Sequence, residues 1–378
     1  MMTLGFILLM VYLILLLFIW IGMIRLKPTV LHAVQPKTAF TIVIPFRNEA
    51  EKIPNLLTSL KQLNYPTELF EVIFVDDESE DNSVLTVSKT LENCVFPFKI
   101  IRNNRFSNSP KKDAITTAIS EAKHEWILTT DADCAVPKKW LQSFDVVIQR
   151  DNPNMICGPV VYKSNGSLIH AFQQFDGLSL QAVTMGGFGH RQEILCNGAN
   201  IGYKKSVFKQ IDGFKGNNHI ASGDDIFLLE KVKEHSSKPV QFIKTSDAVV
   251  TTQPQKNWTQ IINQRVRWAS KTTKQENWLP KVIGAIVFIV NFWIAFAWIY
   301  AFYNTQFLYF YLFVLFIKLL VDGFIIFSTN ILFRNKTVSL SSVLQVIISG
   351  LVYPFITVTV FIMSLLGSYH WKGRRFKA

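Results

Sequence analysis

The sequence predicts an α/β domain, built on a parallel, helix-covered sheet and flanked by membrane helices. Three observations point there. Strand-like and helix-like patterns alternate four times between residues 40 and 129, with short connections, as parallel sheets require. Charge is absent from residues 4–24, 282–317 and 337–371. Residues 25–281 between them have ordinary charge density and mixed polarity.

Residues 40–45 are β-branched and apolar, the pattern of a strand buried on both faces. A helix is expected over 50–62, with Pro54 in its first turn, where proline is tolerated. A second strand near 71–75 leads into a helix rich in acid at its start. FKIIR (98–102) reads as a third strand, SPKKDAITTAISEAKHE as a third helix and EWILTT as a fourth strand. Beyond residue 150 the pattern loosens. NWTQIINQRVRWASK reads as a helix with Ile261, Ile262 and Val266 on one face. Residues 163–195 read as loop, with His190 and Arg191 exposed and without an assigned role.

The first apolar run is long enough to cross a bilayer, which takes about 20 residues. No basic residue precedes it, and Arg25 and Lys27 follow it. That is the reverse of a cleavable signal, so a retained anchor is expected over residues 1–27, with its C-terminal end in the cytoplasm. Residues 280–371 read as membrane or interface helices. Lys318 and Asp322 lie inside one of them at i, i+4, as a mutually neutralising pair or as part of a lipid-acceptor path. Gly350 and Pro354 interrupt the last stretch. Three full spans would place the basic tail, residues 372–378, outside, so one stretch is expected to be re-entrant or interfacial.

The net charge of +12 suggests nucleic acid at first sight. Much of it instead flanks apolar segments, at Arg25, Lys27, Arg334, Lys336, Lys372, Arg374, Arg375 and Lys377, which fits a membrane and its anionic headgroups. No nucleic-acid partner is expected. The four cysteines are scattered with no C-x-x-C, which argues against a zinc site or disulfide framework and for a reducing compartment.

In parallel sheets ligands bind at the carboxyl ends of strands. Phe46-Arg47-Asn48-Glu49, Asp76-Asp77 and the pair Asp131 and Asp133 all fall there. No glycine-rich pyrophosphate loop follows any strand, so a bound diphosphate would need a metal. On an extended chain Asp131 and Asp133 would present both carboxylates to one side, where they repel unless a cation lies between them. Each cluster has a plain alternative. Asp76-Asp77 and Gly223-Asp224-Asp225 fit helix caps, Asp131/Asp133 fits a turn, Gln264 and Arg267 fit a solvated helix face, and Trp268 fits an interfacial anchor.

Taken together, IPFRNE (44–49), VDDESED (75–81), KKDAI (111–115), DAD (131–133), NGAN (197–200), GDD (223–225) and QRVRW (264–268) resemble the membrane-bound family 2 glycosyltransferases with a GT-A (Rossmann-like) catalytic domain. The last piece matches Q-x-x-R-W. The resemblance covers about residues 38–270 and the membrane flanks, which places the catalytic domain at residues 38–275. It implies a nucleotide-sugar donor, most often linked to uridine diphosphate. Asp77 would bind the uracil, with Phe46, Arg47 and Glu49 lining the nucleotide pocket and Lys111, or alternatively Lys112, near it. Asp133 with Asp131 would hold Mg²⁺ or Mn²⁺ against the diphosphate; alternatively Asp131 bonds the ribose and Asp133 alone is the ligand. Arg267 would support the leaving group, and Gln264 and Trp268 the acceptor end. Asp225, rather than its neighbour Asp224, would be the general base of an inverting transfer. GDD stands where many relatives have glutamate before the aspartate.

The resemblance implies sugar transfer to a lipid, lipid-linked or glycan acceptor in cell-envelope synthesis, and with only about three hydrophobic stretches after the domain, transfer of a single sugar is expected. The enzyme would be an integral protein of the plasma (inner) membrane with its catalytic domain in the cytoplasm. A processive polysaccharide synthase, of the cellulose, chitin or hyaluronan kind, also has Q-x-x-R-W, but secreting a polymer favours a larger helix bundle. An inactive scaffold would not need Asp77, Asp133, Asp225 and Arg267 together.

Overall fold

A computed structural model describes residues 1–31, 34–218, 220, 222–235, 238–272, 274–334, 339–365, 367–371 and 374–377. Lys336 and Lys372 lie outside the described residues. In chain order the first half runs α1 (Met2–Arg25), β1 (Phe40–Phe46), α2 (Ile53–Lys61), β2 (Phe70–Asp76), α3 (Ser83–Leu91), β3 (Phe98–Arg102), α4 (Pro110–Glu121), β4 (Trp126–Thr129), β5 (Cys134–Ala135), α5 (Trp140–Asp151), β6 (Met155–Cys157) and β7 (Val160–Tyr162). The second half runs α6 (Leu168–Gly189), β8 (Ile201–Lys204), α7 (Lys205–Gln210), α8 (Ile226–His235), β9 (Gln241–Phe242), β10 (Val250–Thr252), α9 (Trp258–Thr272), α10 (Leu279–Ala301), α11 (Thr305–Arg334), α12 (Leu340–Leu365), β11 (Ser368–Trp371) and β12 (Arg374–Lys377).

The chain forms two units. One comprises Lys27–Val161 and Leu195–Gln253; the other comprises Met1–Leu26, Tyr162–Ile194 and Pro254–Ala378. The domain read as residues 38–275 is thus divided, with Tyr162–Ile194 and Pro254 onward joining the helical unit.

In the α/β unit the main sheet has the order β3-β2-β1-β4-β8-β6-β9. The first four strands are parallel, as the alternating pattern predicts. Strand β8 runs antiparallel to both β4 and β6, so the far half of the sheet is mixed. A small sheet, β5-β10-β7, stands beside it. Strand β1 is covered on both faces: Phe40, Ile42, Ile44 and Phe46 alternate with Thr41 and Val43, and all six are buried. Each large apolar side chain so buried stabilises the fold by about 1.5–3 kcal/mol. Helix α2 packs by the same logic, burying Ile53, Leu56, Leu57 and Leu60 at helical spacing. From β1 the chain winds outward through β2 and β3, then returns to β4 on the other side of β1. That reversal is the switch point of the sheet, at the carboxyl ends of β1 and β4, where such sheets bind ligands.

In the helical unit α1, α10, α11 and α12 are long and apolar enough to cross a membrane by length and composition. Helix α12 runs unbroken through Gly350 and Pro354; the carbonyl facing the proline ring belongs to Gly350, one turn back. The basic tail pairs back on the preceding segment, β11 against β12. Lys318 and Asp322 form a 2.7 Å ion pair, Asp322 also accepts a 2.6 Å hydrogen bond from Tyr12, and Lys318 is 1% exposed. The pair thus neutralises itself against α1, the first of the two expectations.

Residues 163–195 are not mainly a loop. Most of them form α6, a 22-residue helix. Its buried Gln173, Asp176, Gln181 and Thr184 and its glycines break the apolar periodicity on which a helix is recognised. The glycines serve close packing: a Cβ on Gly22 of α1 would lie 2.1 Å from the Gly186 carbonyl oxygen. His190, at the end of α6, is half-buried rather than exposed, stacked on Phe18 with ring centroids 3.9 Å apart.

Candidate active site

Three loops leave the parallel strands at this edge of the α/β unit, and their hydrogen bonds clasp them together. After β1, Arg47 donates 2.8 Å bonds to the carbonyls of Asp77 and Glu78 and a 2.9 Å bond to Glu80. The Asn48 amide oxygen accepts from the Glu80 N–H at 2.8 Å, and the Glu49 N–H donates to Ser83 at 2.8 Å. The 47–49 loop and the acidic 77–83 loop therefore form one frame. Phe46, expected to line the nucleotide pocket, is 1% exposed and belongs to the hydrophobic core. Strand alternation turns its side chain inward, and its carbonyl accepts the Asp77 N–H at 2.9 Å. Its contribution to the site is to hold that backbone.

The Asp77 carboxylate is 6% exposed. It accepts a 2.7 Å bond from the Asn103 amide and lies 3.4 Å from the Arg105 guanidinium. Arg105 is braced in turn by Asp113, which is fully buried and also accepts from the Phe106 and Ser107 backbones. Asn103 and Arg105 were not singled out in the sequence. They follow β3, and the rule that sends ligands to the ends of parallel strands would have found them.

After β4 the chain does not stay extended. The Cys134 N–H bonds back to the Asp131 carbonyl at 3.1 Å, so Asp131–Cys134 is a tight turn that leads directly into β5. The two carboxylates converge through the turn rather than through strand alternation, and donor atoms of Asp131, Asp133 and Cys134 lie within 4.8 Å of one another. Lys111 places its ammonium 2.7 Å from Asp131 and 3.0 Å from Asp224. Burial disfavours the Lys111 charge, but Asp131, Asp224 and Asp225 outweigh it and hold its pKa above the ordinary lysine value. The two lysines of KKDAI separate here. Lys112 turns away, donating to the carbonyls of Asn217 and Ile220 at 2.7 and 3.1 Å, with its ammonium over the Phe227 ring.

Oxygen donors from Asp131 and Asp133 suit a hard divalent cation. Burial, with the Asp133 and Asp131 charges beside it, pushes the Cys134 thiol well above the usual range.

Asp224 and Asp225 precede α8 and are 7% and 8% exposed. One Asp225 oxygen accepts the Ile226 N–H at 2.8 Å and the other the Gly198 N–H at 3.3 Å, so both ends of the carboxylate are fixed. The NGAN loop has to bring backbone close to the acids: a Cβ on Gly198 would lie 2.7 Å from Asp224 and 3.3 Å from the Lys111 nitrogen. Asn200 anchors that loop from below. Fully buried, it bonds the carbonyls of Pro159 and Ala248 and accepts from the Trp140 indole. Asp77, Lys111, Asp131, Asp133, Asp224 and Asp225 thus all lie in the α/β unit. Gln264, Arg267 and Trp268 lie on α9 of the helical unit, at i, i+3 and i+4 on one helix face.

A family model described as glycosyl transferase family 2 matches residues 41–212, from β1 to the end of α7. Residues 41–212 thus form a family 2 glycosyltransferase domain. The chain is 20% identical over 196 residues to glycosyltransferase AglE of Haloferax volcanii, covering 51% of this chain and 61% of that protein. It is 32% identical over 119 residues to an undecaprenyl-phosphate 4-deoxy-4-formamido-L-arabinose transferase of Pseudomonas savastanoi, covering 28% of this chain and 34% of that one. The matches therefore span between about a third and three-fifths of those relatives. The fold is similar to that of a mannosyltransferase from Pyrobaculum calidifontis, solved with GDP-mannose and Mn²⁺. Its TM-score is 0.56 at 15% identity, over 96% of this chain and 95% of that one. The likeness of fold, which includes the GT-A-like core, thus extends over nearly the whole chain.

Proposed function

We propose that this glycosyltransferase moves a sugar, with inversion, from a nucleotide donor to a lipid or lipid-linked acceptor at the membrane. The observation that carries the reading is the Lys111 bridge. It joins the Asp131–Asp133 turn to the Asp224-Asp225 motif at the switch point of the sheet. A diphosphate-binding element and a proton acceptor thereby meet at one edge.

Asp77 recognises the base, with Asn103 and Arg105 fixing its carboxylate. Asp133, with Asp131, would hold Mg²⁺ or Mn²⁺, and the ion would supply stabilisation of the charge on the departing diphosphate. The acceptor hydroxyl oxygen bonds to the anomeric carbon while the bond from that carbon to the diphosphate oxygen breaks. The hydroxyl proton passes to the Asp225 carboxylate, which the Gly198 and Ile226 N–H groups aim. Such a positioned base contributes about 10²–10⁴-fold. By the Q-x-x-R-W resemblance, Arg267 supports the leaving group and Gln264 and Trp268 serve the acceptor end. The donor is read as a uridine diphosphate sugar. The lipid acceptor agrees with the undecaprenyl-phosphate relative and with the four apolar helices. The α/β unit is read as lying on the cytoplasmic side of the plasma (inner) membrane.

The test incubates membranes containing the full chain with radiolabelled UDP-sugars and GDP-mannose, then separates organic phase, water and pellet. Label in the organic phase supports single transfer to lipid. Label in long water-soluble or insoluble chains would make the enzyme a polymer synthase and overturn the proposed acceptor.

A further inference from the structure

We infer that Asp176, on α6, and Arg265, on α9, are positioning residues that fix Gln264 and Trp268 of the QRVRW segment for transfer. The inference rests on the proposed function, because it takes that segment to serve the reaction.

Arg265 is not one of the three residues that the Q-x-x-R-W pattern names. It nonetheless touches two of them. Its guanidinium lies 4.1 Å from the centre of the Trp268 ring, one helical turn on. Its Nη1 donates a 3.1 Å bond to the Gln264 side-chain oxygen. The Tyr162 hydroxyl donates to the same oxygen at 3.2 Å, so two donors hold that amide in one orientation. Arg265 is held from behind by an ion pair with Asp176, and the two side chains are only 10% and 8% exposed.

A helix surface does not by itself fix side-chain rotamers. Exposed glutamine and tryptophan on α9 would sample several. A guanidinium fixed by a buried carboxylate offers one planar face to an indole and one N–H to an amide, geometry that a lysine ammonium does not reproduce. Burying that guanidinium is costly unless it is paired, and Asp176 supplies the pair from the middle of α6. The pair therefore does more than join two helices: it sets the orientation of two side chains assigned to the acceptor end.

Removing one partner alone would leave a buried charge and could unfold the protein, so the decisive variant neutralises both. The double variant Asp176→Asn, Arg265→Gln removes the charges together and keeps hydrogen-bonding capacity. Full-length protein in nanodiscs, labelled with 5-fluorotryptophan, gives nine ¹⁹F lines for nine tryptophans; the Trp268 line is assigned by its loss in Trp268→Phe. The expected result is that the double variant shifts or broadens the Trp268 line and leaves the other eight in place. Transfer from a mixture of radiolabelled UDP-sugars to membrane lipid should fall at least tenfold, with nucleotide retention unchanged. Arg265→Lys should keep the fold and recover only part of the activity. An unmoved Trp268 line with wild-type transfer would overturn the positioning role while leaving the proposed function intact. Full transfer by Trp268→Ala would overturn both, since the segment would then not serve the reaction.

Discussion

Replacing Lys111 with methionine removes the cation that holds the Asp131 and Asp224 carboxylates together. At an effective dielectric of about 20, an ammonium 2.7–3.0 Å from a carboxylate has a Coulomb energy of about 6 kcal/mol. Desolvation of the ammonium offsets much of it. The two arms are not equal. The Asp131 side chain is 38% exposed, so solvent screens most of its share, while Asp224, at 9%, keeps most of its own. Removing one member of a buried pair costs about 3–5 kcal/mol, and with one arm screened the lower end applies, about 3 kcal/mol. For a domain of 150–250 residues this lowers Tm by about 6–12 °C. The Lys111 pKa is raised, so its contribution is fully present below the ordinary lysine range and is lost only in strong alkali. Thermal unfolding of the purified full chain in detergent at neutral pH reads the effect. A Tm shift below about 2 °C would refute the reasoning.

Asn200→Ala should cost at least about 3 kcal/mol, because it strands two carbonyls and the Trp140 indole in a fully buried site at about 1–3 kcal/mol each. The same melting assay reads this, and a wild-type Tm would mean that Asn200 does not anchor the loop. In the membrane helices, Lys318→Met alone should lower detergent stability by about 3–5 kcal/mol, whereas Lys318→Met with Asp322→Leu should recover most of it. Equal losses in the single and double variants would show that the two residues do not act as a pair.

The parallel half of the sheet was legible because β1, β2 and β4 are short apolar runs bounded by polar loops, a pattern that only helix-covered strands require. The motifs at their ends were legible for the same reason: carboxylates after consecutive parallel strands share one edge. Strands β6 and β9, at three and two residues, are too short for a period to show, and the antiparallel turn of β8 depends on pairing that no local pattern encodes. Helix α6 was missed because its polar residues are buried and its glycines meet α1, so its contacts, not its periodicity, keep it helical. The role of Arg105 depends on Asp113 bracing it across a loop, and that of Arg265 on Asp176, far away in sequence. Phe46 adjoins a site motif, yet its side chain points into the core. Side-chain direction at a strand end is set by register, and register becomes visible only once the partner strands are known.

The central claim is that Asp225 takes the acceptor proton in a metal-dependent transfer. Membranes containing wild type or Asp225→Asn are given radiolabelled UDP-sugars with Mg²⁺ or Mn²⁺, and both nucleotide retention and label transfer are measured. The account predicts transfer by wild type that disappears on chelation. It predicts unchanged retention by the variant, with transfer reduced about 10²–10⁴-fold. Full turnover by Asp225→Asn, or transfer that survives chelation, would contradict it.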